Sequence, residues 1–316
     1  MVLRRMRQWI DERGEQYDED FFVYSFVPGA TTNGQSATLA PGASAIAQVH
    51  IQQDSAFEWS LSTMTATDNA SDAFLVNPNI SIQITDSATG RNLFNEMTPV
   101  VQVAGYAQYP YVLPFPRRFM PKSTVTIAFT NFDTAKTFKL IQFSMIGRKI
   151  FMRKGGRPIQ RFRTLPKESI AASRRLGRPV SLAEDFFVYH FGFGAIAQGA
   201  QPGTVTQLVE SDSDFEARLL SATNWNALNT GQGGDPDNFM YFQIKDGGSE
   251  RQLSNTPVSG ENYAGGGGLP LILPVPRIFL AQTDMIVQAW NNSAATNSAR
   301  FDVALAGRKV FEFEDE

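Results

Sequence analysis

Apolar residues in this chain recur at every second position. "NISIQIT" places Ile80, Ile82 and Ile84 on one side and Ser81, Gln83 and Thr85 on the other. "STVTIAFT" alternates Val125, Ile127 and Phe129 with polar partners, and "DMIVQAW" does the same with Met285, Val287 and Ala289. "FEWSLS" (Phe57, Trp59, Leu61) and "RFDVALAG" (Phe301, Val303, Leu305) follow suit. A period of two describes strands with one buried and one wet face, as in antiparallel sheets. Turn-rich stretches such as "FVPGATTNGQ", "TDSATG", "KDGGSE" and "NYAGGGG" separate the runs. With about seven or eight short strands in each half of the chain, the pattern predicts an all-β fold of β-sandwich type, jelly-roll-like or immunoglobulin-like.

The two halves also repeat each other. "EDFFVY" stands at Glu19–Tyr24 and again at Glu184–Tyr189. "IQITDSATGRNLFN" around Asp86 returns as "FQIKDGGSERQLSN" around Asp246, and "LPFPRRF" (Leu113–Phe119) returns as "LPVPRIF" (Leu273–Phe279). Asn131 of "FTNF" answers Asn291 of "AWNN", "IGRKIF" (Ile146–Phe151) answers "AGRKVF" (Ala306–Phe311), and Asp54 answers Asp212. The blocks keep their order at offsets between 158 and 165, so loop insertions account for the differences. One module is used twice, and each copy is long enough to hold its own core. The expected division is 1–18 N-terminal segment, 19–151 first sandwich, 152–183 linker and 184–316 second sandwich.

Two stretches outside the repeat differ in character. Leu3, Met6 and Ile10 fall on one face of an expected short N-terminal helix ringed by Arg4, Arg5 and Arg7. It would pack on its own sandwich or dock as a peg on a neighbouring subunit. Residues 152–183 hold nine basic residues against one acid, a formal charge of +8 that leaves −11 on the rest of this −3 chain. The stretch would be a solvated linker, or Arg153, Arg157, Arg161, Arg163, Arg174 and Arg175 would make it an electrostatic anchor on acidic surfaces of the same or neighbouring chains. Direct contact with nucleic acid is disfavoured, because Phe162 is the one aromatic residue there for stacking.

Composition bounds the chemistry. The chain has no Cys, hence no disulfide and no thiolate site. No apolar run is long enough to span a bilayer, and the N-terminus lacks the apolar core of a secretion signal. The two histidines, His50 and His190, occupy non-equivalent positions, and His50 reads as a strand residue of "AIAQVHIQ". No Ser/His/Asp order, HExxH, phosphate loop or EF-hand is present. No cofactor or metal is expected. Asp86 and Asp246 stand where an aspartate caps a hairpin turn through its own side chain, and Arg91 and Arg251 would tie that turn down or reach across an interface. The prolines of "LPxPR" place that segment at a sheet edge or in a crossover. Arg117 and Arg277, after the second proline, are the candidates for an inter-subunit contact, against the alternative that the segment plugs its own sandwich.

The order F-x-W/A, IxITDxxTGRxLxN, LPxPRxF, xTIxFTN, IGxKxF resembles β-rich virion structural proteins of tailed bacteriophages, here duplicated. The likeness runs through most of both modules, although "KDGGSER" and "AWNN" depart from it in the second copy. It implies a non-enzymatic component of the head, vertex or head–tail collar, made in the host cytoplasm and found in the virion. Its implied partners are further copies of itself and capsid, portal or collar proteins, with no membrane. The competing expectation is a receptor- or glycan-binding adhesin whose platform would be Tyr109, Trp225 and Tyr263; a hydrolase is the third.

Overall fold

The computed structural model describes residues 7–10, 16–29, 36–71, 75, 77–106, 108–151, 181–197, 199, 203–226, 240–254, 256–266, 269–292 and 298–313. The first module contains β1 (Arg7–Ile10), β2 (Gln16–Phe26), β3 (Ser44–His50), β4 (Ser55–Asp68), β5 (Ile80–Asp86), β6 (Arg91–Asn92), β7 (Thr98–Pro99), β8 (Tyr111–Phe119), β9 (Thr124–Asn131) and β10 (Phe138–Phe151). One antiparallel sheet runs β1-β2-β10-β4-β8; the other runs β3-β9-β5-β6, with β7 also on β5. The second module repeats this plan with β11 (Ser181–Ile196), β12 (Gly203–Leu208), β13 (Asp214–Asn226), β14 (Met240–Asp246), β15 (Arg251–Gln252), β16 (Val258–Ser259), β17 (Leu271–Phe279), β18 (Asp284–Asn291) and β19 (Ser298–Phe313). Its sheets run β11-β19-β13-β17 and β12-β18-β14-β15, with β16 on β14. Apart from β1, the strand order in each module is the two-sheet order of a jelly roll.

The alternation of the sequence becomes the core. Ile80, Ile82, Ile84, Val125, Ile127 and Phe129 are fully buried between the sheets of the first module. Met285, Val287, Ala289, Phe301 and Val303 do the same in the second. β8 and β17 are sheet edges, which is where strands carrying Pro114 and Pro116, or Pro274 and Pro276, lose no ladder bond. The duplication extends to single bonds. Asn131 donates to the carbonyl of Leu39 at 2.9 Å and Asn291 to that of Ile196 at 2.9 Å. The Tyr24 hydroxyl receives the amide of Gln52, and the Tyr189 hydroxyl that of Glu210, both at 3.3 Å. Gln83 and Gln243 each donate across their hairpin, to Phe94 and Ser254.

The N-terminal segment departs from expectation. Ile10 lies in strand β1, which pairs antiparallel with β2 from Arg7↔Glu19 to Ile10↔Gln16, and not in a helix. The backbone of β2 offers an open row of donors and acceptors there, and "RQWI" joins it, whereas so short an isolated helix has little stability of its own. Leu3 and Met6 lie outside the described residues. So do residues 152–180, with Arg153, Arg157, Arg161, Arg163, Arg174 and Arg175; β11 takes up the chain at Ser181. No helix of the described residues is long and apolar enough to cross a membrane.

Candidate functional site

In β11 the side chains alternate between two different interiors. Phe187, Tyr189 and Phe191 point into the second sandwich. Phe186 and Val188 point out of it and join the core of the first, together with Leu219, Trp225, Ala304 and Ala306 from β13 and β19. The sheet β11-β19-β13 is therefore buried on both faces. Phe186 meets the ring of Trp59 edge-on at 5.6 Å, beside Phe119 and Phe143. A buried aromatic of this kind stabilises by about 1.5–3 kcal/mol, so the seam is a core in its own right.

Polar groups fix the register of the seam. The outer edge of β11 pairs with the chain after β6: Val188 donates to the Leu93 carbonyl at 3.1 Å, and Asn95 donates to the Val188 carbonyl at 3.3 Å. The Asn95 side chain then copies a strand, accepting from the His190 amide at 2.8 Å and donating to its carbonyl at 3.0 Å. His190 is buried, with Nε2 2.9 Å from Asp302 and Nδ1 3.0 Å from Glu96 of the first module. Burial pulls its pKa down, but the hydrogen bonds and charges of Asp302 and Glu96 outweigh that, and the net shift is upward. Asp302 is also gripped by Arg300 at 2.7 Å, and Gln102 donates to the Asp302 carbonyl at 3.1 Å. Arg300 reaches back to Ser81 at 3.1 Å and covers the rings of Phe132 and Trp225.

Arg117 completes the seam. It bonds Asp86 at 2.9 Å and also pairs with Asp185 of the second module, with all three side chains nearly removed from water. Arg117 is thus no surface residue: the partner of the first "LPxPR" segment is the other half of the same chain. Arg277 makes the corresponding ion pair with Asp246 and reaches Ser249 at 3.1 Å, but keeps 29% exposure. Asp86 and Asp246 cap their turns as expected, accepting from Ala88 and Gly248, each at 3.0 Å. Hydrogen bonds from Ser249 and Arg277 and from the turn amides hold the Asp246 carboxyl below its ordinary range, against the opposing pull of burial. Arg91 does reach across the interface, to Asp212 at 3.0 Å, with its guanidinium over Phe311. His50 is a strand residue that bonds Thr124 across to β9 at 2.8 Å.

The three aromatic residues of the adhesin expectation do not form a platform. Trp225 is buried, Tyr263 stacks on Phe242, and Tyr109, which is exposed, pairs with Tyr106. His190, Glu96 and Asp302 carried no signal in the sequence, because their meeting depends on how the modules dock.

No family model matches this chain, and no curated protein is similar to it in sequence. Among solved structures it is similar to a peptide-N(4)-(N-acetyl-β-D-glucosaminyl) asparagine amidase, at 9% identity over 93% of this chain and 99% of that one, with a TM-score of 0.34. It is also similar to the ANXUR1 extracellular domain from Arabidopsis thaliana, at 9% identity over 95% and 94% with a TM-score of 0.24. Infectious bursal disease virus follows at 9% identity over 98% and 80%, with a TM-score of 0.20.

Proposed function

We propose that this chain is a non-enzymatic structural component of a bacteriophage virion, oligomerising on the capsid, vertex or head–tail collar and acting in assembly or stabilisation. The observation that supports it is the use made of the sheet β11-β19-β13. Its outer face is spent on packing against another jelly roll through Phe186, Val188 and Trp225, with the buried Arg117–Asp185 ion pair and the His190–Glu96 contact setting the register. A module whose flat face and edge strand are both made for meeting a second jelly roll is suited to building assemblies. The duplicated block order, which resembles virion proteins, points the same way. Its partners in this reading are further copies of itself and capsid, portal or collar proteins.

Purified particles examined by electron microscopy, with the chain tagged at its C-terminus, test the proposal. Regular label at one class of site on the head or collar is the expected result. Particles free of label, alongside saturable glycan binding by the isolated chain, would overturn it in favour of an adhesin.

A further inference from the structure

The seam inside the chain joins two unlike surfaces, and because the module is duplicated each surface exists a second time. On the first module's side the seam uses Arg117, which pairs with Asp185, and Arg91, which pairs with Asp212. On the second module's side it uses Asp185, Phe186 and Asp212. The repeat maps Arg117 and Arg91 onto Arg277 and Arg251, and it maps Asp185, Phe186 and Asp212 onto Asp20, Phe21 and Asp54. Those five counterparts are the unfilled halves of the same contact. Phe21 is 70% exposed where Phe186 is 1% exposed, although both sit in the same six residues "EDFFVY". Asp20, Asp54 and Arg251 are exposed, and Arg277 is open where Arg117 is closed. In the internal seam the outer edge of β11 is used as well, at Val188, which meets the chain at Phe94.

We infer that a second copy of this chain docks head to tail on the first. The Arg251/Arg277 side of the second module of one copy meets the Asp20/Phe21/Asp54 side of the first module of the next. Two opposite-charge pairs and one buried Phe are then repeated between chains as they occur within one. The contact is heterologous, so successive copies close a ring or extend a filament. It is weaker than the internal seam, because Trp59, against which Phe186 packs, is replaced by Ala217 in the second module. The inference deepens the assembly reading and rests on it, but it concerns the free chain in solution. Unlabelled particles together with self-association would overturn the virion assignment alone.

Sedimentation of the full chain tests it with two blocked variants. Phe21→Glu spoils one half and Arg251→Glu the other; both side chains are exposed, so both variants keep the wild-type melting temperature, and Phe21→Ser serves if Phe21→Glu does not. The wild type associates beyond a dimer as concentration rises, and each variant alone associates at least about tenfold more weakly. An equal mixture forms one heterodimer and stops, since each variant retains the half the other lacks. A wild type that stays monomeric at about 100 µM, about a hundredfold above a dissociation constant of about 1 µM, overturns the proposal. So does a mixture that fails to pair, or an Arg251→Glu chain that associates like wild type.

Discussion

Arg117 sits between two carboxylates of different modules, Asp86 and Asp185, in a place water hardly reaches. Removing one member of such a group strands the others, at a cost of about 3–5 kcal/mol. Arg117→Ala should therefore lower the urea midpoint strongly at an unchanged slope. Arg277→Ala removes a half-open pair and should cost only about 1 kcal/mol. Equal losses at the two positions would show that the module seam contributes nothing at Arg117. His190 offers a second test. Its pKa in the folded chain is raised, so its stabilising contribution is complete below the unfolded value of about 6.5 and is lost as pH climbs through the folded value. Asp302, Glu96 and, behind Asp302, Arg300 are the charged groups around it. Wild-type stability should fall as pH rises from about 6.5 through the raised folded value, and His190→Gln should lose that portion of the slope. Superimposable pH profiles for the two proteins would contradict this. The turn-capping role of Asp86 and Asp246 was legible from their neighbours in sequence. The roles of Arg117 and His190 were not, since each is defined by a carboxylate from the other module.

At the scale of elements, the two hairpins after β5 and β14 show what the duplication preserved and what it relaxed. Gly90 ends the first turn at φ +66, a conformation that suits a residue without Cβ. The second turn puts Glu250 there at φ +57, which costs about 1 kcal/mol. Glu250→Gly should recover about that amount, as a rise in the denaturation midpoint; a fall would mean that the side chain is needed. Gly147 and Gly307, in contrast, are kept in both copies. A Cβ at either would lie 1.9 Å from the carbonyl oxygen of Glu58 or Glu216, at the register shift where β10 and β19 cross their neighbours. Gly147→Ala and Gly307→Ala should each destabilise by about 1–3 kcal/mol in thermal or urea unfolding. The repeated "GRK" keeps this glycine in both copies, but the approaching strand that explains it lies far away in sequence. The N-terminal segment shows the reverse failure: Leu3, Met6 and Ile10 carry helical spacing, yet Ile10 is drawn into a strand by the open edge of β2.

For the whole molecule, one buried cluster runs from the first sandwich through the seam into the outer face of β11-β19-β13, so the modules are thermodynamically coupled. The full chain should unfold in a single calorimetric transition. The second module expressed alone from residue 181 would expose Phe186, Val188, Leu219 and Trp225 and should aggregate or melt below the full chain; two independent transitions would refute that coupling. The sequence alone determined the class of fold, the duplication, the strand periodicity, the turn chemistry and the placing of the proline strands at edges. These follow from local stereochemistry and from a side-chain period that any reader of the chain can count. Only the tertiary structure decided that Phe21 of one "EDFFVY" faces solvent while Phe186 of its twin is inside a seam. The two copies offer the same atoms to their surroundings, and burial of an outer sheet face depends on what is brought against it from more than a hundred residues away.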